Sequence, residues 1–322
     1  MIKYDLVIIG GGPSGMMAAI AAKENGIKNI LIIDREAELG GMLINCIHSG
    51  FTSKYIEGDL TAPEYIQSLV DKLIEYEIEY KTSTDVISVH TNKTIVAVNE
   101  EGILEISSRV IILAMGCRER PLGYKNILSH RCSGIITSLS TLKLINRAGI
   151  MPGKEVLVLG SGDPALFATR SLVLEGAKIK GIIETTEGLS AINEEVKNFI
   201  KDFNIPIMLK SRVTNVFGKE RVEGVNIGLL DENNKVVPNS KSYISCDTLV
   251  LSIYLHPENT LALKAGIDID SESSKMILKD NMETSIEGIF ACGTVVKGYE
   301  QINKIEIESE LVGKYVAEYL NN

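Results

Sequence analysis

The sequence predicts an α/β fold of two open, mostly parallel sheets covered by helices, one domain inserted into the other, each with a small antiparallel β-meander. Three observations carry this reading. Residues 6–9 and 155–159 are short apolar runs that stop at glycine-rich turns, as buried parallel strands do. Each turn opens a helical pattern that leads to a second apolar run, at 30–33 and 179–183, closed by an acid. The spacing then repeats: twenty-four residues separate Gly10 from Asp34, and twenty-four separate Gly160 from Glu184. Two units of one geometry mark a duplicated supersecondary module.

In the first unit, Gly10, Gly12 and Gly15 stand in G-x-G-x-x-G spacing ahead of a helix over 14–23, with Pro13 and Ser14 at its start. Glycine lets the chain turn sharply and lets backbone N–H groups approach a pyrophosphate, whose charge then lies against the positive end of the helix. Asp34, followed by Arg35, can accept hydrogen bonds from a ribose. Strand, glycines, helix, strand and acid in this order predict a Rossmann-like, three-layer ββα dinucleotide-binding domain. After Gly40 and Gly41, residues 42–51 form a loop or helix entry that holds Met42, Cys46 and His48. Thr61 and Glu64 make a capping box with Pro63 in the first turn, and Ile66, Leu69, Val70, Leu73 and Ile74 supply one apolar helical face. Residues 86–90, 94–98 and 103–107 alternate as meander strands with a turn at 99–102. The apolar run 110–114 re-enters the parallel sheet, leaving Ala114 and Gly116 at its carboxyl end, where ligands sit in this architecture.

A helix is expected over 137–147, ended by Gly149, before Pro152-Gly153 turns the chain into the second cycle. There Gly160, Gly162, Asp163 and Ala165 form the second motif, with Ala165 in the place of the third glycine. Residues 213–217 and 222–230 read as another meander, and 246–251 as the counterpart of 109–114. The stretch 288–296, with Gly293 and Thr294, is a strand and turn. Ile302, Ile305, Ser309, Val312 and Val316 then mark one face of a final helix. Those residues are too few for an independent core, so they complete the first domain. The expected division is 1–118 and 255–322 for an FAD-binding domain, and 119–254 for an inserted NAD(P)-binding domain, with crossings near 118–122 and 255–259.

Composition sets the outer bounds. A chain of 322 residues with 45% hydrophobic and 23% charged content can bury one large or two ordinary cores. A net charge of -9 and the lack of a basic run exclude nucleic acid as the main partner. No apolar run reaches the roughly 18 residues needed to span a bilayer, and the first nine residues lack the features of a secretion signal, so a cytoplasmic location is expected. The five cysteines, at 46, 117, 132, 246 and 292, form no CxxC and no metal-ligand cluster, which fits free thiols in a reducing compartment and no metal site.

Two dinucleotide sites with no separate substrate domain point to electron passage between two bound cofactors, FAD in the first and a nicotinamide in the second. Glu184 favours NAD over NADP, because a carboxylate suits free ribose hydroxyls and repels a 2'-phosphate, and Thr185-Thr186 adds no cation. The amino end of the final helix, at Ile302, would stabilise charge on a reduced flavin. Cys46 and His48 are candidate catalytic residues as a thiol and imidazole pair; the plainer reading is a small buried cysteine and a structural histidine. Cys117, Arg118, Glu119 and Arg120 would line the first crossing, or form an ordinary salt-bridged surface.

The stretches GGMLINCIHSGF (40–51), TAPEY (61–65), AMGCRERP (114–121), GSGDPAL (160–166), CDTLVLS (246–252) and GIFACG (288–293) give the chain an end-to-end resemblance to the two-domain FAD and pyridine-nucleotide oxidoreductases of thioredoxin reductase-like architecture. Within that group it is similar to flavoprotein subunits that accompany anaerobic glycerol-3-phosphate dehydrogenases, related to sarcosine oxidase alpha, opine oxidase and hydrogen cyanide synthase subunits. Two departures stand out. The CxxC expected ahead of the second glycine motif is missing, and Cys132-Ser133-Gly134 does not replace it, which disfavours dithiol reduction. Thr294 stands where the family has Asp or Asn on the flavin's ribityl chain, a weaker partner. The resemblance implies an FAD-dependent NAD(P)H oxidoreductase that exchanges electrons with a partner protein or subunit, and it leaves homo- and hetero-oligomers both open. The alternatives are a stand-alone NADH oxidase or peroxidase using Cys46, and a nucleotide-binding regulatory subunit without turnover.

Overall fold

The computed structural model describes residues 2–119, 132–253 and 255–321. The chain divides into two compact units, Met1–Arg118 with Leu255–Asn322, and Glu119–Tyr254. Arg120 and Leu122, expected at the first crossing, lie outside the described residues.

The first unit opens with β1 (Ile2–Ile9), α1 (Pro13–Glu24) and β2 (Ile30–Ile33), continues through a 3-10 turn (Gly41–Asn45) to α2 (Ala62–Glu75), and returns in β3 (Glu79–Lys81), β4 (Asp85–Val89), β5 (Thr94–Asn99) and β6 (Gly102–Leu113). These strands lie in the order β3-β2-β1-β6-β5-β4 in one sheet. β1 pairs parallel with β2 and β6, with Ile8 opposite both Ile32 and Ile112. Because both faces of β1 are covered, Leu6, Val7 and Ile8 are fully buried, which is why the strand reads as an unbroken apolar run. Glu64 accepts from both the backbone N–H and the hydroxyl of Thr61, fixing the start of α2.

Two expectations change here. The runs 103–107 and 110–114 are halves of one strand: β6 pairs antiparallel with β5 through its first half and parallel with β1 through its second. Ser107-Ser108-Arg109 looks like a break, but extended backbone tolerates these residues and the ladder on both sides supplies their partners. The first meander is therefore continuous with the main sheet.

In the second unit, β8 (Ile135–Thr137) precedes α3 (Ser138–Leu142), which runs into a π-helical segment (Lys143–Arg147). The helix expected over 137–147 thus starts one residue later, behind a short strand that pairs with β15 (Thr248–Leu251). Between them come β9 (Glu155–Leu159), α4 (Asp163–Leu174), β10 (Lys178–Ile183), α5 (Glu194–Asp202) and β11 (Ile207–Met208). The parallel order is β11-β10-β9-β15-β8. A separate sheet holds β12 (Ser211–Phe217), β13 (Gly224–Leu229) and β14 (Ser242–Ser245). The run 246–251 is extended only from Thr248, because Asp247 turns to accept the N–H groups of Lys154 and Glu155 at 2.9 and 3.2 Å.

After β7 (Cys117–Glu119) and its partner β16 (Leu255–Pro257), the first unit is completed by α6 (Thr260–Ala265), β17 (Ile289–Ala291), α7 (Thr294–Lys297) and α8 (Ile302–Asn321). β17 adds to the main sheet beside β6, with Phe290 opposite Ile112. α8 buries Ile305, Ser309, Val312 and Val316 of the expected face, leaves Ile302 half-buried at its start, and also buries Gly313. At Gly313 an added Cβ would lie 2.6 Å from the Ala18 carbonyl and 2.6 Å from the Ala21 Cβ of α1. Gly313→Val should lower stability by about 2–3 kcal/mol through overpacking, reducing Tm by roughly 5–10 °C in thermal denaturation, without altering either glycine motif. No helix among the described residues is long and apolar enough to cross a membrane.

Candidate dinucleotide sites

The three glycines of the first motif do three different jobs. A Cβ on Gly10, whose φ is +110°, would fall 2.3 Å from the Ala114 carbonyl, so the turn leaves β1 hard against the end of β6. A Cβ on Gly15 would fall 1.9 Å from the Gly10 carbonyl, so glycine lets α1 pack onto the turn. Gly12 differs: its φ of -74° suits any residue, and an added Cβ would meet only the Gly41 Cα, at 3.7 Å. Space is therefore kept open over the N-cap of α1, where the first-turn N–H groups have no intrahelical acceptors. Gly41, at φ +56°, forms the opposite side, and Gly40 donates its N–H to the Gly11 carbonyl at 2.9 Å. This cradle of backbone without side chains fits a pyrophosphate.

The other residues expected at the first site lie on several elements of the first unit. Ser14, second in α1, meets Gly293, where a Cβ would fall 2.1 Å from the serine Oγ. Gly116, at φ +72°, faces the Thr294 hydroxyl, 3.6 Å from the position of its missing Cβ. Met42 lies in the 3-10 turn beside Gly41, Pro13 opens α1, and Ile302 begins α8. Arg35 is exposed, its Nε 4.0 Å from the Glu36 carboxylate. Glu308 on α8 was not legible as a site residue: its carboxylate accepts the Gly293 N–H at 2.9 Å and Lys297 Nζ at 2.6 Å, tying the 293 turn to the last helix.

The second motif repeats the arrangement. A Cβ on Gly160 would fall 2.0 Å from the Ser252 carbonyl, whereas one on Gly162 would meet nothing nearer than the Pro164 Cδ at 3.8 Å. Ala165, fully buried, replaces the third glycine. Asp163 is engaged by the protein, its Oδ1 accepting the N–H groups of Ile192 and Asn193 at 2.8 and 2.9 Å.

The two acids differ in what holds them. Asp34 is 8% exposed and accepts the Gly11 N–H at 2.6 Å and the Glu36 N–H at 2.8 Å. Burial pushes its carboxyl up from the usual range, and these two donors offset that only in part. Glu184 is equally buried, but its charge is favoured: hydroxyls of Ser161 and Ser190 and N–H groups of Thr186 and Thr185 outweigh burial and hold its carboxyl below the usual range. Ser161 was a readable signal, a polar residue between two motif glycines; Ser190, within the 185–190 loop, and Lys210, which reaches that loop from farther along the chain, gave none.

Cys46 closes the 3-10 turn and donates its N–H to the Leu43 carbonyl. Burial alone pushes its thiol up to about 12, so it rests protonated at neutral pH. The His48 ring lies 5.1 Å from that of Phe51. Cys117, Cys132, Cys246 and Cys292 are buried, and none of the five cysteines is in a disulfide. Arg118 pairs with Glu258 at 3.2 Å, and Glu119 accepts the Ser138 hydroxyl and, at 2.8 Å, the Leu139 N–H, so each has a structural partner.

Residues 4–306 match the family model for pyridine nucleotide-disulphide oxidoreductases. The chain belongs to this family. Its members use FAD and NAD(P)H. A thioredoxin reductase of Mycoplasma genitalium is 26% identical over 307 residues, covering 94% of this chain and 90% of that protein. An alkyl hydroperoxide reductase component of Staphylococcus epidermidis is 23% identical over 312 residues, covering 94% of this chain and 55% of that one; the chain thus spans about half the length of this relative. Among solved structures, T. acidophilum thioredoxin reductase superposes with a TM-score of 0.79 at 19% identity, covering 99% of both chains. The bacillithiol disulfide reductase of Bacillus cereus gives 0.78 at 18%, covering 99% of this chain and 98% of that one. The α/β, two-domain Rossmann architecture of this oxidoreductase family is therefore shared across the whole chain.

Proposed function

We infer that this chain is an NADH-linked flavoprotein that binds FAD at the first glycine motif and NADH at the second, and passes electrons to or from a partner protein. The observation that carries the reading is the pair of open cradles at Gly12 and Gly162, each over a helix N-terminus with an acid at the next strand end. FAD, when bound, supplies a two-electron acceptor for the nicotinamide hydride. The chain's own part is to hold both nucleotides. Backbone N–H groups at 12–15 and 162–165 meet the pyrophosphates, and Asp34 accepts from a ribose. Gly116, Gly293 and Thr294 line the rest of the first site, and the start of α8 at Ile302 lends its dipole to charge on a reduced flavin. Preference for NAD over NADP follows from the ionised Glu184, which repels a 2'-phosphate.

Without a CxxC, and with no cysteine in a disulfide, the chain has no dithiol motif to relay electrons, which supports direct exchange with a partner's redox group over the disulfide chemistry named for its relatives. A partner of the glycerol-3-phosphate dehydrogenase type is the finest form of this reading and rests on the motif resemblance alone, carried by stretches 40–51, 61–65, 114–121, 160–166, 246–252 and 288–293. Reduction of bound FAD by NADH without oxygen tests the whole proposal. In the same assay Cys46→Ser should keep the rate within about twofold, because a thiol held protonated by burial is a poor nucleophile. A loss of a hundredfold or more would restore Cys46 as catalytic.

A further inference from the structure

The hydrogen bonds around Glu184 set it apart from Asp34. An ionised carboxylate offers about four acceptor positions. Asp34 has two taken by protein N–H groups and keeps room for ribose hydroxyls. Glu184 receives five donors: Ser161 Oγ at 2.5 Å and Ser190 Oγ at 2.9 Å on Oε2, and on Oε1 the Thr185 N–H at 2.6 Å, the Thr186 N–H at 3.2 Å and the Thr185 hydroxyl at 3.2 Å. Ser161 Oγ in turn accepts the Ser190 N–H at 2.9 Å, closing the cluster. The carboxylate thereby ties the 185–190 loop to the second glycine turn, and it is 6% exposed. Lys210, a cation set against this loop, is committed as well: it donates its N–H to the Thr186 carbonyl, and its Nζ lies 2.5 Å from Glu187.

We propose that Glu184 is a positioning residue whose acceptor capacity is consumed within the protein, so that it selects against NADP by charge without binding the ribose of NAD. The inference rests on the reading of the second motif as a pyridine-nucleotide site. It reverses the usual accounting, in which the acid at this strand end contributes affinity through the 2'-hydroxyl. Here discrimination is a penalty on the 2'-phosphate, imposed by Glu184 and Glu187 with Lys210 already neutralised. The ribose hydroxyls of NAD receive no carboxylate.

Calorimetric titration of the FAD-loaded chain with NAD and NADP in their oxidised forms, which do not reduce flavin, separates the two accounts. Glu184→Gln keeps the shape and removes the charge; its amide can donate to Ser161 and Ser190, whose hydroxyls also accept. NAD affinity should stay within threefold of wild type while NADP affinity rises about tenfold. A greater loss of NAD affinity, or unchanged NADP affinity, overturns the proposal. Should that variant fail to fold, Ser161→Ala with Ser190→Ala tests it from the other side. Freeing Oε2 should let it reach a ribose hydroxyl and raise NAD affinity severalfold; an unchanged or weaker affinity overturns the proposal. If the wild-type chain binds neither nucleotide, the reading of the second site falls and this inference with it, whereas binding by wild type with the wrong response to substitution overturns the inference alone.

Discussion

Gly12→Val should yield a folded protein that has lost its flavin. The backbone at 12 lies at φ -74°, ψ 178°, where valine is comfortable, and its Cβ would clear the Gly41 Cα at 3.7 Å. The isopropyl group would instead fill the space over the N-cap of α1, where a pyrophosphate must approach the backbone. FAD affinity should fall by roughly a hundredfold or more, equivalent to about 2.8 kcal/mol, with far-UV circular dichroism unchanged. Gly15→Val is the contrasting control. Its Cβ would lie 1.9 Å from the Gly10 carbonyl, so α1 must move off the turn and the first unit should be destabilised outright. Full flavin occupancy in the Gly12 variant would place FAD elsewhere.

Gly162→Val should do to the nicotinamide nucleotide what Gly12→Val does to FAD. Its φ of -70° and ψ of 167° accept a β-branched residue, and the nearest atom to an added Cβ is Pro164 Cδ at 3.8 Å. Binding of NADH should weaken by roughly a hundredfold while the flavin spectrum stays that of wild type. The two substitutions together form a crossed test: each motif should lose its own cofactor and keep the other. If Gly162→Val released FAD and Gly12→Val did not, the assignment of the cofactors to the motifs would be reversed.

Much of this arrangement was legible because its signals are local. The apolar runs at β1, β2, β9 and β10 are buried, and the glycines at 10, 12, 15, 160 and 162 stand at a fixed spacing just past β1 and β9, a pattern readable within a few residues even though the contacts of Gly10 with Ala114 and of Gly160 with Ser252 are distant in sequence. What escaped depends on contacts between distant segments. Gly313 is needed because α1 comes within a Cβ's reach of α8, nearly three hundred residues apart in sequence, and helical periodicity carries no sign of that. The union of 103–107 and 110–114 into β6 is decided by having β5 on one side and β1 on the other, which overrides the polar residues between them. The π-helical turn at 143–147 likewise has no signature in side-chain pattern. At the sites, spacing identified both acids, but not that Asp34 keeps acceptor capacity while Glu184 is saturated. That difference arises from Ser161, Ser190 and the N–H groups of the 185–186 turn converging in space.

The loss of the CxxC motif bears on how the chain differs from the reductases it resembles. A thiol with its ordinary acidity could exchange with a partner's disulfide, but Cys46 is held up to about 12 by burial, and Cys246 and Cys292 are pushed up to about 11 and about 12 for the same first reason. None of these three is poised as a thiolate near pH 7. On the proposed function, electron exchange with a partner falls to the flavin, and the direct product of NADH oxidation should be reduced FAD, with no protein disulfide opened along the way.

That consequence is measured most directly by anaerobic titration of the FAD-loaded chain with NADH, following the visible flavin absorbance and counting free thiols at the end point. The account predicts bleaching complete at one NADH per bound FAD, with the same five free thiols before and after. NADH that binds but leaves the flavin oxidised would contradict it.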